Sequence, residues 1–166
     1  GWAVYLAHAE QASAAHFAES LSLAQQVADS RLAAHALTSL THVLVYEGVY
    51  TPQLRAYIEE SIVLYRQLQD VHGLTQALLN LCTFHMQTGD VAAALAIARE
   101  ALQMANSAQL ISTRAWSYAT IGELMLLQNG DLDEAHKHLD AAMLLFQENN
   151  QRDGVLIVQH HLGELT

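Results

Sequence analysis

The chain has 166 residues, is 52% apolar and carries a formal charge of −10 from 17 acidic and 7 basic residues. Nucleic-acid binding needs clustered Lys and Arg to displace counterions, so that class is excluded, and an anionic membrane surface would repel the chain. No apolar run reaches the ~18 residues of a membrane span, the start GWAVYLAHAEQ reads as no signal peptide, and the one cysteine, Cys82, permits no internal disulfide.

Alanine and leucine dominate, one proline is present, and strand-like alternation bounded by turns is absent, so an all-α chain is expected. Trp2 to about Ala7 reads as the tail of a first helix, with a break near His8–Glu10. A second helix is expected from about Gln11 to Asp29, burying Ala14, Phe17, Ala18, Leu21 and Ala24. Next comes a helix pair over 30–69, turning at Gly48-Val49-Tyr50-Thr51. Pro52 suits a first helical position there, because its missing N–H would be unpaired anyway. The pair over 71–107 turns at Gly89-Asp90. Gly89 can close the first helix in a left-handed conformation, and Asp90 stands where an N-cap accepts orphan amides. Its second helix carries Val91, Ala94, Leu95, Ala98, Ala101, Leu102 and Ala105, at steps of three and one, the stripe of an amphipathic helix. A pair over 110–148 turns at Asn129-Gly130-Asp131. Asn150–Asp153 reads as a polar corner, and a ninth helix is expected from near Gly154.

These elements share one period. Gly48, Gly89 and Gly130 are 41 residues apart, as are Asp29 and Asp70. Ser20, Ser61, Ala101 and Ala142 follow at 41, 40 and 41, and so do Leu40, Leu81, Ile121 and Leu162. A fixed period of this size marks an array of like helix pairs, none of which can bury its apolar stripe without its neighbours. The units are about 1–29, 30–70, 71–109, 110–150 and a partial 151–166, together one repeat domain. Gln159–Leu165 repeats the pattern of Tyr118–Leu124 with no second helix following, so the chain reads as an excerpt of a longer array.

The pairs Ile121-Gly122 and Gly130-Asp131 with Ala135 and Ala142 resemble the tetratricopeptide repeat. Leu81-Cys82, Gly89-Asp90, Ala94 and Ala101 fill the same pattern one unit earlier. Leu40-Thr41, Gly48, Leu54 and Ser61 fill it in the second unit, and Leu162-Gly163 opens it in the fifth. Small residues stand where two helices approach closely. The family repeat is about 34 residues, shorter than this one. Leu78 and Tyr118 stand where a Trp is typical. The longer helices resemble the tetratricopeptide arrays of large bacterial regulators of MalT-like type. The resemblance implies a right-handed α-α superhelix, a solenoid of about nine helices whose first helices line a concave groove.

On that geometry the groove would be lined by His35, Ser39, His42 and Tyr46, by Gln76, Asn80, Thr83 and Gln87, by Trp116, Thr120 and Glu123, and by His161. Apart from Glu123 the set is uncharged, with amide, hydroxyl and imidazole groups able to hydrogen-bond an extended peptide or a neutral ligand. The plain alternative is a solvated helix surface. No metal site is expected from the ten histidines. His136 and His138 are two apart and His160 and His161 adjacent, spacings that do not put both rings on one helix face. His136 is assigned to the apolar stripe of its helix instead. No catalytic constellation is found: Glu59 and Glu60 diverge, Glu123 and Glu164 are repeat equivalents, and Cys82 reads as a small packing residue beside His85.

The expected function is a non-catalytic interaction scaffold for a protein or peptide, without cofactor. It would be the sensing or interaction segment of a larger cytoplasmic bacterial signalling or transcriptional regulator. A small-molecule sensor and a self-associating structural array, dimerising through exposed repeat ends, are the alternatives.

Overall fold

In a computed structural model of the chain, residues 2–128 and 130–163 are described, with side chains from residue 13 onward. Asn129, assigned above to a turn, and Glu164 and Leu165, assigned to a repeat motif, lie outside the described residues. The described residues form eight helices and no strand: α1 Trp2–Gln26, α2 Ser30–Tyr46, α3 Pro52–Leu68, α4 Val71–Gln87, α5 Val91–Ser107, α6 Ile111–Leu127, α7 Leu132–Glu148 and α8 Arg152–Gly163. Helices α2 to α7 are each 17 residues long, about 25 Å at a 1.5 Å rise.

The helix break expected near His8–Glu10 does not occur, and α1 runs unbroken for 25 residues. Ala7-His8-Ala9-Glu10-Gln11 contains no glycine, proline or cap, and alanine, glutamate and glutamine all favour the helix. Eight helices are therefore described where about nine were expected. The last of them starts at Arg152, two residues before Gly154. Gly154 lies inside the helix, where a Cβ would come within 2.5 Å of the Phe146 ring, so the glycine serves close packing and not a turn.

The helices fall into two compact units, 1–88 and 89–166. In the first, α1 packs on α2, α2 on α3, α3 on α4, and α2 also meets α4. In the second, α5 packs on α6, α6 on α7, α7 on α8, and α6 also meets α8. The first unit has a core of Leu21, Ala24, Ala33, Ala36 and Leu37, with Tyr57 and Leu64 against it. The second is built on Ala115, Ala119, Leu139, Ala142, Phe146 and Val158. Ala18, expected in the buried stripe of α1, is exposed. Gly122 permits a close helix approach in the second unit, since a Cβ on it would lie 2.7 Å from the Leu139 side chain.

Most helix ends carry local stop or start signals, though α6 begins after Leu110 with no side-chain cap. Asp29, Asp70, Asp90 and Asp131 accept backbone amides of the turns they precede, as Thr51 does ahead of Pro52. Each such cap is worth about 1 kcal/mol. Gly48 and Gly89 end α2 and α4 at positive φ, 73° and 87°. The corners after α1, α3, α5 and α7 instead use Ala28, Gln69, Gln109 and Asn150, all near φ 55°. At each of these corners the next amide donates back across the turn: Asp29 to Ala24, Asp70 to Tyr65, Leu110 to Ala105 and Gln151 to Phe146. This is the six-to-one hydrogen bond of a Schellman ending, and the Val49 amide makes it to Leu44 at the Gly48 corner as well.

Candidate functional site

A cleft in the first unit

Packing α2 beside α4 turns two helical faces toward one hollow. Ser39 and His42 follow at i, i+3 on α2, and Gln76 and Asn80 at i, i+4 on α4, so each pair shares a face. These four, with Phe17 of α1 and Thr38 and Val43 of α2, line a cavity of about 210 Å³. All four were expected in the groove. Phe17, Thr38 and Val43 were not: Phe17 had been assigned to the buried stripe of α1, and it is half-buried at the cleft edge. The signal that could have found Thr38 and Val43 is helical spacing, since Thr38 stands four residues before His42 and Val43 four after Ser39.

Beneath the cleft α2 and α4 are tied together by polar contacts. The Asn80 side-chain amide donates to the Thr38 carbonyl at 3.2 Å and to Thr41 Oγ1 at 3.0 Å. Asn80 is 7% exposed, so its N–H groups serve the helix junction and are not spare for a ligand. The Thr38 hydroxyl donates to the Ala34 carbonyl at 3.0 Å and lies 3.4 Å from the Tyr65 hydroxyl. The Tyr65 hydroxyl is also 3.4 Å from His35 Nδ1. Burial pushes the Tyr65 phenol above its usual range, the Thr38 contact pulls it back, and the Asp70 charge raises it again.

Other expected groove residues are placed as follows. His35 is exposed, edge-on to the Tyr65 ring at 5.8 Å. Tyr46 is 70% exposed, its ring 4.8 Å from that of His42. Gln76 and Gln87 are exposed, and Thr83 is half-buried with its hydroxyl bonded back to the Leu79 carbonyl at 3.1 Å. In the second unit Trp116 sits in the packing, its ring centroid 4.8 Å from that of Phe146. Thr120 is half-buried, and Glu123 Oε2 lies 3.9 Å from His161 Nε2 across α6 and α8.

His136 is not on the apolar stripe assigned to it. It is exposed and pairs with Asp140 at 3.2 Å. The stripe of α7 runs through Ala135, Leu139, Ala142 and Phe146, and residue 136 sits about 100° round from 135. His138 is the half-buried one, 5.7 Å from the Tyr118 ring. Burial lowers its pKa, with the Glu134 charge opposing and the Arg99 and Lys137 charges adding to the drop. Cys82 is buried. Among the described residues no group of three His, Cys, Asp or Glu side chains is placed to hold a metal ion, and no helix is long and apolar enough to cross a membrane.

No family model and no curated relative matches the chain. Among solved structures it is similar to the crystal structure of BtubC (BKLC) from P. vanneervenii, with a TM-score of 0.76 at 18% identity. The chain folds like part of BtubC. The match takes in 95% of this chain and 65% of BtubC. At this identity the likeness to BtubC speaks for the fold alone. A larger hollow of about 370 Å³ lies at the α7–α8 corner, bounded by Phe146, Arg152, Val155 and Leu156. It contains none of the expected groove residues, and its walls are mainly apolar.

Proposed function

We propose that the chain is a non-catalytic interaction scaffold of tetratricopeptide type. Its helix pairs stack as a right-handed α-α superhelix, and the first helices offer a groove to an extended segment of a protein partner. The observation that carries this reading is the convergence of Ser39, His42, Gln76 and Asn80 on one cavity. They come from α2 and α4, equivalent helices one repeat apart. The cavity mixes donors and acceptors beside the Phe17 ring and the Val43 methyl groups, a lining suited to a peptide carrying both polar and apolar surface. The charge of −10 favours partners with basic residues flanking the bound segment, more through encounter rate than through affinity. In the broader setting the resemblance implies, the segment serves a larger cytoplasmic bacterial regulator.

Selection of a random peptide library on the whole chain tests this. Enriched peptides should bind the native chain and lose at least tenfold in affinity for Ser39→Trp, whose indole fills the cleft. Peptides that bind Ser39→Trp equally well would overturn the reading. A hollow of about 210 Å³ with an uncharged polar lining also admits a small neutral ligand. Thermal stabilisation by a metabolite, with no peptide enriched, would favour a sensor instead.

A further inference from the structure

We infer that the cleft between α2 and α4 is a subsite for an uncharged carboxamide side chain, glutamine above all. The inference rests on the reading of this cleft as the partner-binding surface, and it goes further by naming the group that enters.

The argument is one of matching. None of the cavity-lining residues carries a formal charge with His42 neutral. A carboxylate or ammonium drawn into the cavity would lose part of its hydration without gaining a countercharge, which disfavours it. An aliphatic side chain would suit Phe17 and Val43 but would cover the Ser39 hydroxyl and the Gln76 amide without pairing them. Each polar group so stranded gives up its hydrogen bonds to water without replacement. Asn80 cannot rescue such a ligand with its N–H groups, since both its donor contacts go to α2. Besides the Asn80 carbonyl oxygen, which can only accept, the polar groups left at the cavity are the Ser39 hydroxyl, the His42 imidazole and the Gln76 carboxamide, and each of these three can both give and accept a hydrogen bond. A partner group with one acceptor oxygen, an N–H₂ donor and a short aliphatic stem satisfies both walls together. Glutamine has that make-up; asparagine has it with a shorter stem.

The test uses capped single amino acids as probes against the whole, isotope-labelled chain. N-acetylglutamine N-methylamide should produce saturable NMR shifts at Ser39 and at the Gln76 side-chain amide. Its Kd should be at least tenfold lower than that of the capped leucine, glutamate and lysine analogues. Gln76→Ala, at an exposed position, should abolish the preference among the four probes and leave the fold intact. Equal binding of capped leucine or glutamate, or shifts confined to other residues, overturns the inference. If library peptides bind and are blocked by Ser39→Trp while no probe prefers the carboxamide, the scaffold reading stands and the inference falls. If the capped glutamine binds as expected but no peptide is enriched, the subsite stands and the peptide-scaffold reading falls.

Discussion

Gly73 of α4 lies directly under the ring of Tyr65 from α3. A Cβ at Gly73 would collide with that ring, and Tyr65 is 1% exposed. The same relationship joins Gly154 to Phe146, 81 residues on for both partners (154 − 73 and 146 − 65). Gly73→Ala should therefore destabilise the chain through overpacking of about 1–3 kcal/mol, offset by at most ~1 kcal/mol of helix propensity. Urea denaturation measures the net loss. In the double variant Gly73→Ala/Tyr65→Leu the penalty of the alanine should largely vanish, which a double-mutant cycle resolves. An alanine tolerated equally well with and without the ring would contradict the packing described.

The four left-handed corners make a prediction of opposite sign. Gln69 and Gln109 adopt φ of 55° and 56°, where a side chain costs about 1–2 kcal/mol and glycine costs little. Gln69→Gly and Gln109→Gly should each stabilise the chain by about 0.5–1 kcal/mol, after the extra freedom glycine gives the unfolded chain. Raised urea midpoints, additive in the double variant, are the expected outcome.

Asn80 ties α4 to α2 through two donor contacts in a buried position. Asn80→Ala leaves the Thr38 carbonyl and the Thr41 hydroxyl with one fewer partner and should cost about 1–3 kcal/mol. Asn80→Asp should cost at least as much near neutral pH, because it replaces two donors with a buried carboxylate facing a carbonyl. Thermal unfolding of the two variants beside Gln76→Ala distinguishes this structural tie from the exposed cleft wall, where the change should stay within about 0.5 kcal/mol.

His138 gives a pH dependence. Its folded pKa lies below the ordinary 6.5 because burial disfavours the imidazolium. The unfolded chain then binds more protons as pH falls through 6.5 and toward the folded pKa, so this group lowers stability on the acid side and has no effect above about pH 7.5. Comparison of the native chain with His138→Gln across pH 5 to 8 checks the sign. The variant should lose less stability on acidification, and a steeper acid loss would refute the assignment.

The periodic part of the fold was legible because glycine and aspartate mark turns chemically and alanine marks close helix approaches. Gly48, Gly89 and Asp90 lie at helix ends in the structure, and Ala94, Ala98, Ala101 and Ala105 are fully buried. What did not show was decided partly by local hydrogen bonds at helix ends and partly by contacts across helices. Ala28, Gln69 and Gln109 carry no sign of the left-handed backbone they adopt, since the Schellman hydrogen bonds impose it. The unbroken α1 was misread because a period was extended into a segment with no stop signal. At the candidate site the residue types were readable, but their use was not. Asn80 faces the cleft yet spends its donors on α2, and Trp116 spends its ring on Phe146. His136 is off the stripe because that stripe runs through Ala135, Leu139, Ala142 and Phe146, about 100° round the helix from it.

The ring-on-glycine contacts recur at alternate units. At the intervening positions the ring is replaced by Ala24 and Ala105, and the glycine by Leu32 and Thr113. The chain's true module of interchange is thus two helix pairs. Excising 71–110 would join Tyr65 to a helix with Thr113 in place of Gly73, a collision of ring and side chain. Excising 71–151 would bring Gly154 beneath Tyr65 and preserve the fit. Removing two helix pairs together therefore keeps this contact, whereas removing one demands repacking at it.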